Sequence, residues 1–208
     1  MNNTILKSLS AENFASFADR IVFTTEIDTS KKEFLNNTFL CENLRYNKVS
    51  FLYGANGSGK TFFCKILREI QRLLQWSPLI ATNNSKLLSI PQLKGLDAPI
   101  KKFAFDAAYE EKATKFGIDL IIDKITYHYE FSILDKKVQS ELLTKKYRRT
   151  EKLIERTSPS FKDIVLRSEF KNFENMKQVV KEEALCLPIA DLLNNKLAAK
   201  IVTAIKDI

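Results

Sequence analysis

Glycine is scarce in this chain: there are five in 208 residues. A chain so short of glycine has few positions at which the backbone turns freely into left-handed conformations. Three of the five, Gly54, Gly57 and Gly59, nevertheless crowd into one short segment. Cysteine is equally sparse. Cys41, Cys64 and Cys186 are far apart and odd in number, which excludes a disulfide framework and any zinc-ligand spacing. They are expected as small buried apolar residues in a reducing cytoplasm. Uninterrupted apolar runs are short, so no membrane span is expected. Met1-Asn2-Asn3-Thr4-Ile5-Leu6-Lys7 lacks a basic stretch followed by an apolar one, so no secretory signal is expected.

The glycine-dense segment is Gly54-Ala55-Asn56-Gly57-Ser58-Gly59-Lys60-Thr61. It fits the phosphate-binding loop, G-x-x-x-x-G-K-[ST], at every fixed position. Residues 49–53 predict a short apolar strand entering it, and residues 62–70 a helix leaving it, apolar at 62, 63, 66, 67 and 70. The chemistry is direct. Glycines let main-chain amides converge on an anion at a helix N-terminus. Lys60, the candidate catalytic residue, would place its ammonium on the β- and γ-phosphates, and the Thr61 hydroxyl would ligate Mg²⁺. Residues Gly54, Ala55, Asn56, Gly57, Ser58, Gly59, Lys60, Thr61 and Phe62 are therefore candidate ATP-binding residues.

The net charge is +8. Residues 136–183 carry 13 Lys/Arg against 8 Asp/Glu, which is +5 of that total. This stretch, with Lys145-Lys146-Tyr147-Arg148-Arg149, has two readings: a nucleic-acid backbone contact, or a solvated face interleaved with Glu151 and Glu155.

Around the loop, residues 5–14 and 20–26 predict two strands, and residues 28–47 an irregular polar stretch with a turn at Asn36-Asn37. Trp76-Ser77-Pro78 predicts a helix break, and residues 77–101 a connection with one helical turn near 86–89. Strands are predicted over 101–107, 115–122, 125–134, 138–147 and 152–156, the second and third forming a hairpin at Asp123-Lys124. Residues 188–208 predict one amphipathic helix. The organisation expected is a single, incomplete ATP-binding domain over 1–208. Residues 1–76 hold the first strands, the loop and its helix, 101–160 form a β-rich subdomain, and 170–208 are helical.

The form G-x-N-G-x-G-K-T resembles the loop of ABC-type ATPases, the class of the SMC and RecF proteins and the overcoming-lysogenization-defect nucleases. Residues 9–17 are similar to the opening strand of that class, and the β-rich block resembles ATP-binding proteins of bacterial abortive-infection and phage-defence systems. The resemblance implies an α/β P-loop NTPase fold: the N-terminal lobe of an ABC-type ATPase head with an antiparallel β-rich subdomain and a C-terminal helix. It implies ATP and Mg²⁺ as ligands, and as partners a second copy of the chain, a complementing ATPase half or an effector protein. Two departures stand out. Ala15 occupies a place where the class often has a phosphate-holding Arg. No signature motif, acidic Walker B pair or switch His follows the loop within these residues. Gln92 and Gln139 are candidates for the metal- and water-sensing glutamine of the class. The string Ile118-Asp119-Leu120-Ile121-Ile122-Asp123 imitates a Mg²⁺-binding strand end, but Lys124 follows it, and Asp123 fits a hairpin turn better. His128, inside an alternating strand, is expected to be structural.

Overall fold

A computed structural model describes residues 4–28, 35–41, 43–81, 95–160, 163–178 and 180–208. Alternating apolar and polar residues build one antiparallel sheet. Its strands are β1 (Thr4–Glu12), β2 (Ile21–Thr24), β5 (Thr114–Ile122), β6 (Ile125–Leu134), β7 (Lys137–Lys146), β8 (Thr150–Arg156) and β9 (Val165–Leu166), in the order β2-β1-β5-β6-β7-β8-β9. A separate two-stranded ribbon pairs β3 (Thr38–Cys41) with β4 (Leu44–Asn47). It occupies part of the stretch predicted to be irregular, and the predicted turn at Asn36-Asn37 lies in a short 3-10 helix, Leu35–Asn37.

The period of two sorts the sheet's faces. Leu9, Phe116, Ile118, Tyr129 and Phe131 join the core. Ser8, Asp119, His128 and Glu130 lie on the other, polar face, where they bond to one another and to Arg20 and Lys115. The strands are connected by tight turns at Asp123-Lys124 (φ 50° and 65°) and Asp135-Lys136 (φ 50° and 67°). Positive φ at both central residues matches the right-handed twist of a hairpin. Asp123 therefore belongs to a turn, as its chemistry predicted, and its carboxylate pairs with Lys200 at 2.5 Å.

Three helices cover the core face. α1 (Lys60–Ala81) buries Ile66, Ile70, Leu73 and Leu74, spaced as one helical stripe. It runs through the predicted break at Pro78. The proline leaves the carbonyl four residues back without a donor, but neighbouring Ser77 ties the turn down. Its hydroxyl donates to Leu73 O at 2.9 Å and accepts from Leu185 N at 3.1 Å. The predicted turn at 86–89 lies outside the described residues. The single C-terminal helix that was predicted is two helices, α2 (Cys186–Leu192) and α3 (Lys196–Lys206). Asn194 adopts φ 66° and stops the first; Asn195 caps the second, accepting from Leu197 N and Ala198 N.

Two other expectations fail for want of a partner. Residues 101–107 form no strand. Phe103 N donates to the Asn13 side chain and Lys101 O accepts from Ala15 N, so their main-chain groups serve a turn rather than a ladder. Residues 49–53 form no strand either, and no strand lies beside them among the described residues. Of the cysteines only Cys186 is buried; Cys64 is exposed and Cys41 intermediate.

One buried carboxylate joins sheet to helices. Glu141 on β7 is fully buried. It accepts from Tyr129 Oη (2.9 Å), Cys186 N (2.6 Å) and Leu187 N (2.9 Å). Its register partner on β8 is Arg156, also buried, which donates to the carbonyls of Ala184, Pro159, Glu182 and Ser158. Burial pushes the Tyr129 hydroxyl and the Cys186 thiol well up, so both stay neutral around Glu141. Removing the carboxylate strands three buried donors, Tyr129 Oη, Cys186 N and Leu187 N. Glu141→Leu is expected to cost about 3–5 kcal/mol in urea denaturation. A loss below about 0.5 kcal/mol, the scale of a neutral surface change, would show that the carboxylate does not hold the helices.

Candidate nucleotide-binding site

Residues 54–61 wrap the N-terminus of α1, as their chemistry predicts. Gly57 and Gly59 adopt φ 81° and 89°. At Gly59 a second constraint applies: a Cβ would stand 3.0 Å from the Phe17 ring and 3.3 Å from Ser16 Cβ. The loop thus presses against the turn at residues 13–17. That turn is strained, with Asn13 at φ 50° and Ala15 at φ 51°. Asn13 holds it in place. Its Nδ2 donates to the carbonyls of Tyr109 and Lys112, both at 2.9 Å, and its Oδ1 accepts from Phe103 N at 3.1 Å.

A concavity of about 230 Å³ opens here, lined by residues 56–62 and by Ser16. The Lys60 ammonium folds back into the loop and donates to Gly54 O at 2.8 Å and Ala55 O at 2.7 Å. A cation held by main-chain carbonyls at a helix N-terminus suits an anion entering the same space. Thr61 is exposed at the first turn of the helix. Phe62 forms one wall, and two further cations stand near it. Lys65 Nζ is 5.2 Å and Lys101 Nζ 6.0 Å from the ring centroid. Neither has a carboxylate partner among the described residues.

The sequence did not single out Ser16 or Lys101. Ser16 gave a weak signal, one residue beyond the place of the missing Arg. Lys101 gave none, since it reaches the loop across 40 positions of chain. Ala15 itself is buried and bonds through its amide to Lys101 O, so nothing at that position faces the loop. Gln92 lies outside the described residues. Gln139 Nε2 donates to Lys137 O at 3.2 Å, and it is not part of the concavity's lining.

Two other clusters were candidates. On the polar face Asp119 accepts from Ser8 Oγ at 2.5 Å and pairs with His128 Nδ1 at 2.6 Å. The carboxylate sits between hydroxyl and imidazole, so the imidazole has no nucleophile to deprotonate and the trio does not form a Ser-His relay. Burial would raise the Asp119 carboxyl, but the bonds from His128 and Ser8 prevail and hold it below its ordinary value. The same bond to Asp119 holds His128 above its own. In the basic stretch, many cations are already paired: Lys145 with Glu169 (2.7 Å) and Lys137 with Glu182 (2.8 Å), with Lys152 and Arg167 both on Glu155.

A raised histidine contributes stability that is complete below its unfolded pKa, about 6.5, and is lost as pH rises through its folded pKa. Urea denaturation across about pH 5.5 to 8.5 is expected to show this loss. His128→Gln is expected to flatten it. An unchanged pH profile in that variant would refute the pairing.

No curated protein and no solved structure matches the chain. A sequence profile of the family described as "AAA domain, putative AbiEii toxin, Type IV TA system" matches residues 49–178. That span is well over half of the chain, and it starts at the approach to the loop and contains the loop, α1 and most of the sheet. The chain belongs to this AAA-domain family of P-loop, nucleotide-binding ATPases.

Proposed function

We propose that the chain is the ATP-binding lobe of an ABC/SMC-like ATPase acting in anti-phage defence. It takes ATP–Mg²⁺ at residues 54–62. Main-chain amides of the loop would hold the phosphates, the Lys60 ammonium would pair with the β- and γ-phosphates, and the Thr61 hydroxyl would ligate the metal. Bound Mg²⁺ would neutralise charge developing on the γ-phosphate. The observation that carries this reading is the loop itself, with two left-handed glycines at the head of α1 and Lys60 turned into it. The defence role rests on the phage-defence resemblance and on the toxin–antitoxin wording of the matched family.

Turnover needs a group that orients water. No signature motif or acidic Walker B pair follows the loop, and the described residues hold no cluster of three metal-ligating side chains. Residues 49–53 point the same way. Phe51 is 76% and Tyr53 85% exposed, and the run is apolar on both faces, as a strand buried inside a parallel sheet would be. The catalytic acid then comes from a further part of the same polypeptide or from a second chain, and the run at 49–53 suits pairing with a strand that the described residues do not supply.

Calorimetry with ATP and Mg²⁺ is expected to show one magnesium-dependent site. Lys60→Ala is expected to weaken it at least about tenfold, the scale of a lost charge-assisted contact. Steady-state assays of residues 1–208 are expected to show little hydrolysis. Robust turnover abolished by Lys60→Ala would keep the binding site and overturn the need for outside parts. Absence of nucleotide uptake would overturn both.

A further inference from the structure

The connection between β7 and β8 is the most basic exposed feature among the described residues that has no acidic partner. Lys146, Tyr147, Arg148 and Arg149 are consecutive and exposed. None of the three cations forms an ion pair there, whereas Lys145, just before them, is tied to Glu169 and Glu151. Tyr147 is 63% exposed, and the Arg148 guanidinium carbon stands 5.9 Å from its ring centroid. The ring is thus offered to solvent beside the Arg148 guanidinium, with Lys146 next to it in the chain. The β5–β6 turn ends at the same edge of the sheet and presents Lys124, also without an acidic partner. Two strand spacings separate the turns, about 10 Å. A short line of four cations with one aromatic ring therefore crosses the end of the sheet. The phosphate loop lies at the other end, where β1 runs out into the turn at residues 13–17.

The pairing decides which part of the basic stretch is available. Glu182 and Glu169, both outside the strands, absorb Lys137 and Lys145, and Glu155 on β8 absorbs Lys152 and Arg167. What remains has the chemistry of a single-strand contact: cations that follow a phosphate backbone and a ring on which a base stacks. A duplex keeps its bases stacked inside and offers this ring nothing. A membrane would need several apolar anchors; the tip has one aromatic residue and no large aliphatic one.

We propose that the β7–β8 tip, Lys146 to Arg149 with Lys124 beside it, binds single-stranded nucleic acid. Tyr147 stacks on a base and the cations pair with phosphates. The contact is separate from the nucleotide concavity and does not depend on it.

Fluorescence anisotropy with labelled oligothymidine tests this. Three to four phosphate contacts predict that log K falls with log salt at a slope of about −2 to −3 between about 50 and 200 mM. Lys146→Glu/Arg148→Glu/Arg149→Glu is expected to abolish binding. Tyr147→Ala is expected to lower affinity about tenfold and leave the slope unchanged, while Tyr147→Phe keeps the affinity, which separates stacking from charge. Lys136→Glu/Lys137→Glu, at the far end of β7, is the charge-reversed control and is expected to bind normally. The proposal is overturned if no strand binds at low salt, or if the control loses as much affinity as the tip variant. It is also overturned if duplex binds as tightly as single strand with no effect of Tyr147→Ala, or if anionic vesicles bind and oligothymidine does not.

Discussion

The site depends on the approach of one turn to one glycine. A Cβ at Gly59 would crowd the Phe17 ring and Ser16, which lie against it, and the left-handed backbone there disfavours any side chain as well. The turn that brings them is unfavourable in itself, with two non-glycine residues in the left-handed region. It persists because the Asn13 side chain spends all three of its bonds on the main chain of residues 103–112. Sheet, loop and helix are thereby registered to one another at a single point. A phosphate-binding loop is a main-chain device, so its precision comes from whatever fixes its backbone.

The sheet serves as a two-sided plate. Its core face carries helices α1, α2 and α3 and contains the buried carboxylate of Glu141, which receives the first amides of α2. Amides at a helix start have no partner within the helix, and a buried anion satisfies them while favouring the helix dipole. Among the described residues, no helix contributes to the bonds of Ser8, Asp119, His128 and Glu130 on the sheet's other face. There, polar residues settle their charges pairwise, Asp119 with His128 and Glu130 with Arg20 and Lys115. At the sheet's far end Asp123 and Lys145 are paired, but Lys124, Lys146, Arg148 and Arg149 have no acidic partner among the described residues. That contrast, more than the net charge, separates a contact surface from a solvated face. The bare run at residues 49–53 is the apolar counterpart of that unsettled edge: its side chains suit burial on both faces, yet no strand pairs with it among the described residues.

The sequence alone located the loop, because the spacing of glycines, Lys60 and Thr61 encodes a local main-chain geometry, while the turn at residues 13–17 that bears on it belongs to the fold. It also determined the hairpin at Asp123-Lys124, whose strands alternate; the second tight turn, at Asp135-Lys136, was not singled out. It did not determine what depends on partners far along the chain. Residues 49–53 and 101–107 have strand composition but no neighbour to pair with among the described residues, and a strand exists only as part of a ladder. Pro78 marks a break by local rules, yet Ser77 reaches across 108 positions to Leu185 and the helix continues. Asn194 and Asn195 divide a pattern that periodicity alone joins. Ser16 and Lys101 reach the site only through tertiary contact, and Lys137 and Lys145 of the basic stretch find Glu182 and Glu169 only where the fold brings these acids back to the sheet. Local chemistry was therefore fixed by residue type and spacing; pairing, of charges and of strands alike, was decided by the fold, because the free energy of a pair belongs to neither residue alone.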